Sequence, residues 1–183
     1  KGKGKEIDEF RSINKQTLVN LLTSLKEKNK LPSKIIFSST ISVYGEKMNS
    51  GEYVEESECS PQSPYAITKL EAEEFLLSNF PNQSWILRFA PVYHESFKLN
   101  IDRRTRIRGK FYRVGKGSRK LSLCSIENIG TAVEAIFKDK IPEGIYNLSD
   151  AKEYTYNELL QLQKANWVYP IPAFSIKLLY YLG

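Results

Sequence analysis

Metal-ligating residue types are scarce in this sequence. Histidine occurs once, at His94, and cysteine twice, at Cys59 and Cys124, in a chain of 183 residues. A zinc site draws three or four ligands of these types together, so none is expected. The cysteines form no Cys-x-x-Cys pair. Disulfide stapling is therefore not indicated, and a reducing cytoplasm is the expected setting. No apolar run reaches the ~20 residues of a membrane span. The nearest, WVYPIPAFSIKLLYYLG, is broken by Pro170, Pro172 and Lys177. It is expected to be buried or covered by a partner, with contact at a membrane surface the lesser reading. The opening KGKGKEIDEF is charged and has no apolar signal core. Ten glycines are present, but none falls into a Gly-x-x-Gly-x-x-Gly turn after a strand. No internal repeat or low-complexity tract is visible.

What is present suits a folded domain. The content is 41% hydrophobic and 26% charged, enough for one real core under an ordinary soluble surface. The net charge of +6 fits a phosphate-bearing ligand or RNA without selecting either. Nucleic-acid binding is the disfavoured reading, because basic charge alone is common.

The apolar spacing of Leu18, Leu21, Leu22 and Leu25 predicts a helix over about Glu9 to Lys28. KIIFSST, Lys34 to Thr40, reads as a buried strand. A loop rich in Gly, Ser, Glu and Pro follows from about Gly45 to Ser63. Ser63 can cap the next helix and Pro64 suits its first turn. SWILRFAPVY, Ser84 to Tyr93, holds a strand stopped by Pro91. Helix, strand, helix, strand argues for a parallel sheet with crossover helices. Farther on, KLSLCSI is a candidate strand, Glu127 to Lys138 a helix and GIYNLSD a short strand and turn. Thr155 and Glu158 match a capping box.

Tyr65 precedes Lys69 by four residues at the start of a helix, so both can face one way. An ammonium near a phenol favours phenolate, which can move a proton near neutral pH. The spacing alone is weak, because Tyr112 and Lys116 repeat it; there Gly115 and Gly117 oppose a helix. Context strengthens the first pair. Ser38, Ser39 and Thr40 end a predicted strand, and ligands of open α/β sheets bind at such ends.

Taken in order, IIFSSTISVYGE, SPQSPYAITKLEAEEF and WILRFAPVY resemble the extended short-chain dehydrogenase/reductases. Within these the chain is most similar to the NAD-dependent nucleotide-sugar epimerases and dehydratases, of the UDP-galactose 4-epimerase type. LSLCSIENIGTAVEAI and IYNLSDAKEYTYNELL extend the likeness, which runs from about Asn14 to Gln161. The resemblance implies an α/β fold, a Rossmann-like doubly wound parallel sheet without its first glycine-rich βαβ half, and a small C-terminal substrate portion. Residues 1–95 are then the C-terminal part of the dinucleotide-binding domain. Residues 96–183 are mainly the substrate portion, with some elements returning to the sheet.

The implied activity is epimerisation of a nucleotide sugar, a UDP-sugar at C4, through a transient keto sugar. Tyr65 falls on the catalytic base, and Lys69 on the lysine that holds the nicotinamide ribose and lowers the tyrosine pKa. Thr40 falls on the Ser/Thr that hydrogen-bonds the sugar hydroxyl. Ser38 and Ala90 line the nicotinamide, and Asn14 matches a helix asparagine near the cofactor. Pro91 passes the substrate, and Asn100 resembles an asparagine on the nucleotide diphosphate. NAD is the implied cofactor, with NADP left open. A homodimer through helices that include the Tyr65 helix is compatible with the family.

Several positions depart from the family pattern. Ile41 and Ser42 stand where its dehydratases place an Asp-Glu pair, which argues against a dTDP-glucose-type dehydratase. Pro91 replaces an asparagine, His94 a glycine, and Leu121 a phosphate-binding arginine beside Arg119 and Lys120. With no glycine-rich turn, the chain is expected to be part of a longer protein, and NAD binding by these residues alone is expected to be weak. A same-family reductase, an RNA-binding relative using Arg103, Arg104, Arg106 and Arg108, and a non-catalytic relative stay open.

Overall fold

A computed structural model describes residues 3–45 and 52–172. Part of the Gly45–Ser63 loop and the chain after Pro172 lie outside the described residues, so the expectation for the Pro-broken apolar segment is carried only by its start. In chain order the elements are α1 (Lys3–Arg11), a π-helical turn (Ser12–Gln16), α2 (Thr17–Glu27), β1 (Ile35–Thr40), a 3₁₀ turn (Ile41–Tyr44) and α3 (Pro64–Asn79). Next come β2 (Ser84–Phe89), β3 (Val92–Tyr93), α4 (Leu99–Thr105), β4 (Arg106–Ile107) and β5 (Lys110–Val114). The rest are β6 (Lys120–Leu121), β7 (Cys124–Ser125), α5 (Ile126–Phe137), β8 (Gly144–Leu148), β9 (Tyr154–Thr155), α6 (Tyr156–Leu162) and β10 (Tyr169–Ile171).

The chain divides into two compact units. One comprises Lys1–Ala90 and Gly130–Leu148, the other Pro91–Ile129 and Ser149–Gly183.

In the first unit β1, β2 and β8 form a parallel sheet in that order, with Ile35 opposite Ser84 and Phe89 opposite Leu148. α3 is the crossover between β1 and β2. Side chains alternate across a strand, so each strand feeds two cores. Ile35, Phe37 and Ile86 pack with Leu22, Ala72 and Leu76 from α2 and α3. On the other face Trp85 and Leu87 pack with Ile136 of α5, supported by Ile36, Val133 and Leu148. Helices cover both faces, as parallel sheets require.

The first helix starts earlier than its leucines predict, and a π turn interrupts it. Its N-terminal part is held by α3 rather than by its own periodicity. Phe10 meets Tyr65 edge-on at 6.2 Å, and Arg11 forks onto Glu71 with Nη2–Oε1 at 2.8 Å. α3 is capped as its sequence predicts, Ser63 Oγ accepting from Ala66 N with Pro64 at the first position.

The second unit is built from short pairings. β5 runs antiparallel to β4 and parallel to β10. KLSLCSI is not one strand but two fragments. Lys120–Leu121 pairs antiparallel with β9, and Cys124–Ser125 pairs parallel with β3. The segment changes partner midway, so no single ladder extends through it. The capping box of α6 forms in full, Thr155 N donating to Glu158 Oε2 and Glu158 N to Thr155 Oγ1. Tyr112 and Lys116 lie on a strand and in a glycine turn, so the second Tyr/Lys pair has no helical face.

Candidate active site

Tyr65 and Lys69 occupy the first turns of α3, beside the carboxyl end of β1. Lys69 Nζ donates to the Ser38 carbonyl at 2.9 Å. The ammonium lies 4.7 Å from the Phe37 ring centre and 5.9 Å from that of Tyr65. An ammonium has three donors, so two remain for a ligand. Tyr65 is 39% exposed, and among the described residues its hydroxyl has no hydrogen-bond partner.

Electrostatics correct one expectation. Partial burial raises the Tyr65 pKa above its ordinary value instead of lowering it. The Lys69 nitrogen sits over the ring face, held by a carbonyl, and desolvation of the phenolate dominates. Burial also depresses the Lys69 pKa, against the attraction of Glu73.

Thr40 ends β1. Its Oγ1 accepts from Ser42 N at 3.2 Å and bonds Ser42 Oγ at 3.1 Å, capping the 3₁₀ turn. The hydroxyl therefore has a local structural use as well as a place at the strand end. Asn14 lies in the π turn and donates from Nδ2 to Thr68 Oγ1 at 3.0 Å. Thr68 in turn bonds back to the Pro64 carbonyl at 2.9 Å. π turns inside helices often mark functional positions, and this one ties the first helix to α3 one residue before Lys69. Ala90 is buried, its N–H donating to the Leu148 carbonyl at 2.9 Å.

The structure thus brings Asn14, Ser38, Tyr65 and Lys69 together through contacts within the first unit. Pro91 and Asn100 belong to the second unit. Pro91 offers its carbonyl to Cys124 N at 3.1 Å. Asn100 Nδ2 donates to the Val92 carbonyl at 2.8 Å, joining α4 to β3. His94 bonds Ser96 through Nδ1 at 2.8 Å, and its Nε2 lies 3.5 Å from Glu127; these contacts describe a structural loop histidine. Part of the basic run is used internally. Arg106 pairs with Asp102 at 3.1 Å and stacks on Phe111, Lys120 pairs with Glu153 at 2.6 Å, and Arg104 donates to the Asn100 carbonyl at 2.8 Å.

Sequence reasoning passed over a buried polar layer behind the site. Glu73 and Arg88 are 0% and 3% exposed. Arg88 Nη2 donates to Glu73 Oε2 at 2.6 Å and Nη1 to Tyr44 OH at 2.8 Å. Ser39 Oγ donates to Glu73 Oε1. Tyr44 OH reaches Asn147 Oδ1 at 2.8 Å, and Asn147 N reaches Glu55 Oε1 at 2.8 Å. The signal was available: an arginine within the apolar SWILRF needs a buried partner, and Glu73 lies on the Tyr65–Lys69 stripe of α3.

Among the described residues the polar groups fit a nicotinamide ribose and a sugar hydroxyl: two ammonium donors of Lys69 and the Tyr65 phenol without partners, and a strand-end hydroxyl at Thr40. The described residues contain no cluster of three or more His, Cys, Asp or Glu suited to a metal. No helix among them is long and apolar enough to cross a membrane.

The model of the NAD dependent epimerase/dehydratase family matches residues 3–147, which include every one of these groups. The chain belongs to this family. A Bacillus subtilis (strain 168) relative named "Uncharacterized UDP-glucose epimerase YtcB" is 38% identical over 95 residues, 49% of this chain and 28% of its own length. A Bacillus cereus UDP-glucuronic acid 4-epimerase in complex with NAD is similar in structure, with a TM-score of 0.70 and 23% identity over 94% of this chain and 60% of that one. A dTDP-glucose 4,6-dehydratase from Bacillus anthracis str. Ames in complex with NAD follows at 0.67 and 19%, over 88% and 56%. These likenesses confirm the Rossmann-type α/β fold of this epimerase/dehydratase chain. It spans only part of each relative, from 28% to 60% of their length.

Proposed function

We propose that this chain carries the catalytic centre of an NAD-dependent nucleotide-sugar epimerase that inverts C4 of a UDP-sugar. The observation that carries the reading is the Tyr65 hydroxyl, unpartnered among the described residues, on a ring 5.9 Å from the Lys69 nitrogen that is fixed on the Ser38 carbonyl at the end of β1. Bound NAD supplies the hydride acceptor and donor, and the chain supplies orientation and proton transfer. Lys69 Nζ, fixed on the Ser38 carbonyl, would hold the nicotinamide ribose with its remaining donors and lies over the Tyr65 ring. Tyr65 takes the proton of the sugar hydroxyl as that carbon is oxidised, and returns it when the keto sugar is reduced on its other face. Thr40 orients the same hydroxyl, Ser38 and Ala90 border the nicotinamide, and Asn14 steadies α3 beside Lys69. The family resemblance gives Pro91 and Asn100 substrate contacts, Asn100 at the diphosphate. Ile41 and Ser42, in place of an acid pair, favour epimerisation over dehydration.

The protein works in the cytoplasm as a homodimer in this reading. Ile13, Leu21 and Leu77 are 64%, 54% and 38% exposed on the first helices and α3, and a second copy can cover them.

The test is epimer formation from UDP-sugars by the intact protein with NAD, followed by proton NMR. Turnover is expected to rise with pH, because the raised Tyr65 pKa withholds the base form at neutral pH. Tyr65→Phe is expected to abolish turnover with the fold unchanged, since the hydroxyl bonds nothing within the described residues. Full turnover by the folded Phe variant would refute the assignment.

A further inference from the structure

Glu73 takes no part in the chemistry above, yet it is fully buried on the catalytic helix. It follows Lys69 by four residues and Tyr65 by eight, so the three share one stripe of α3. Its carboxylate accepts from Ser39 of β1 and from Arg88 of β2 through Nη2 at 2.6 Å and Nε at 3.1 Å. Ser39 lies opposite Arg88 in the sheet, and Arg88 opposite Asn147. A single level of all three strands therefore meets the helix at this carboxylate. Ser38 and Ser39, the two residues before Thr40, are gripped in turn by Lys69 and Glu73.

We infer that Glu73 and Arg88 are positioning residues for the Tyr65–Lys69 pair, holding α3 in register with the end of β1 and setting a buried carboxylate one helical turn from Lys69. The inference rests on the catalytic reading of Tyr65 and Lys69. Replacing a buried ion pair by well-packed neutral residues commonly costs no stability, so stability alone does not require these charges. Position and field are what neutral residues do not reproduce. Burial disfavours the ammonium of Lys69, and Glu73 opposes that effect. Among the described residues the other groups around Lys69 are few. α3 presents Tyr65, β1 presents the Ser38 carbonyl and the Phe37 ring, and β2 presents Arg88 behind Glu73. Arg11 and Lys15, on the helix packed against α3, are turned to Glu71 at 2.8 and 3.5 Å.

Arg88 extends the same layer outward. Its Nη1 donates to Tyr44 OH at 2.8 Å and to the Glu55 carbonyl at 3.3 Å. Tyr44 stacks on Tyr53, with ring centres 4.9 Å apart. The return of the chain toward α3 is thus fastened to the level that sets Lys69.

The experiment is a titration of Lys69 in the intact chain, its amines carrying ¹³C methyl groups and the Lys69 signal assigned by its loss in Lys69→Arg. Two variants are compared with the parent, Glu73→Gln and Glu73→Gln with Arg88→Met. The double variant leaves no lone buried charge and so guards against loss of the fold. In Glu73→Gln the Lys69 midpoint is expected to fall by about half a pH unit or more while other lysines stay put; in the double variant, which also removes the positive charge of Arg88, it falls less. In the intact enzyme, kcat falls with KM nearly unchanged. An unmoved Lys69 midpoint in folded Glu73→Gln overturns the inference, as does an unchanged kcat in the folded double variant; failure of both variants to fold overturns it too, making the pair a stability element. A shifted midpoint in a protein that epimerises no nucleotide sugar upholds the positioning of Lys69 and sinks the proposed activity instead.

Discussion

Truncating Glu73 to alanine isolates the energetic weight of the buried layer. In the native fold the Glu73 and Arg88 side chains are 1% and 4% exposed, joined at 2.6 Å. Glu73→Ala removes the acceptor for two Arg88 nitrogens and for the Ser39 hydroxyl. Arg88 keeps the Tyr44 hydroxyl at 2.8 Å and the Glu55 carbonyl at 3.3 Å, neither of which carries a countercharge. Breaking such a pair from one side costs about 3–5 kcal/mol, a large share of the ~5–15 kcal/mol that holds a domain together. In a chain of this size that lowers Tm by about 6–20 °C. The control is Glu71→Ala, which leaves Arg11 its Asp8 partner at 3.2 Å. The Arg11–Glu71 pair is 39% and 22% exposed, and an ion pair open to solvent contributes far less than a buried one. Urea unfolding followed through buried Trp85 fluorescence, with exposed Trp167 replaced by Phe, reports both. A Glu73→Ala cost no larger than that of Glu71→Ala would refute the claim that the layer is a desolvated ion pair.

Three further outcomes follow from individual residues. Glu158 is held down at about 2 from a usual 4.5 by the capping box and Lys152. A depressed acid contributes stability above its unfolded pKa and loses it as pH falls through the folded one. Acid weakening of α6 between about 4.5 and 2 should therefore track the Glu158 carboxyl NMR titration and vanish in Glu158→Gln. Gly45→Ala should destabilise the fold by more than about 1 kcal/mol in thermal unfolding, because Gly45 has φ 91° and an added Cβ would meet the Ser60 carbonyl oxygen at 2.2 Å. Burial pushes the Cys124 thiol up to about 11, while Cys59 is only partly buried, so a thiol reagent near pH 8 should label Cys59 first by mass spectrometry.

The sequence was most legible where local chemistry and pattern agree. Ser63-Pro64 and Thr155 with Glu158 mark helix starts that form as written, because a cap is satisfied within a few residues. β-rich runs bounded by turns mark β1 and β2 for the same reason. Three ordered motifs identify the family, since they encode the strand ends and helix start that carry Tyr65, Lys69 and Thr40. The rest depended on residues far apart in the chain. The first helix extends to Lys3 because α3 offers Tyr65 and Glu71 to Phe10 and Arg11. KLSLCSI splits because β9 claims one end and β3 the other. The direction of the Tyr65 pKa turned on how deeply the phenol is desolvated and where the Lys69 nitrogen comes to rest, which spacing on a helix does not contain. In the sequence Glu73 is one of three glutamates on α3, with Glu71 and Glu74. Only the register that sets Ser39, Arg88 and Asn147 at one level made it the buried centre of a charge network, because burial turns a solvated carboxylate into a group that must be paired.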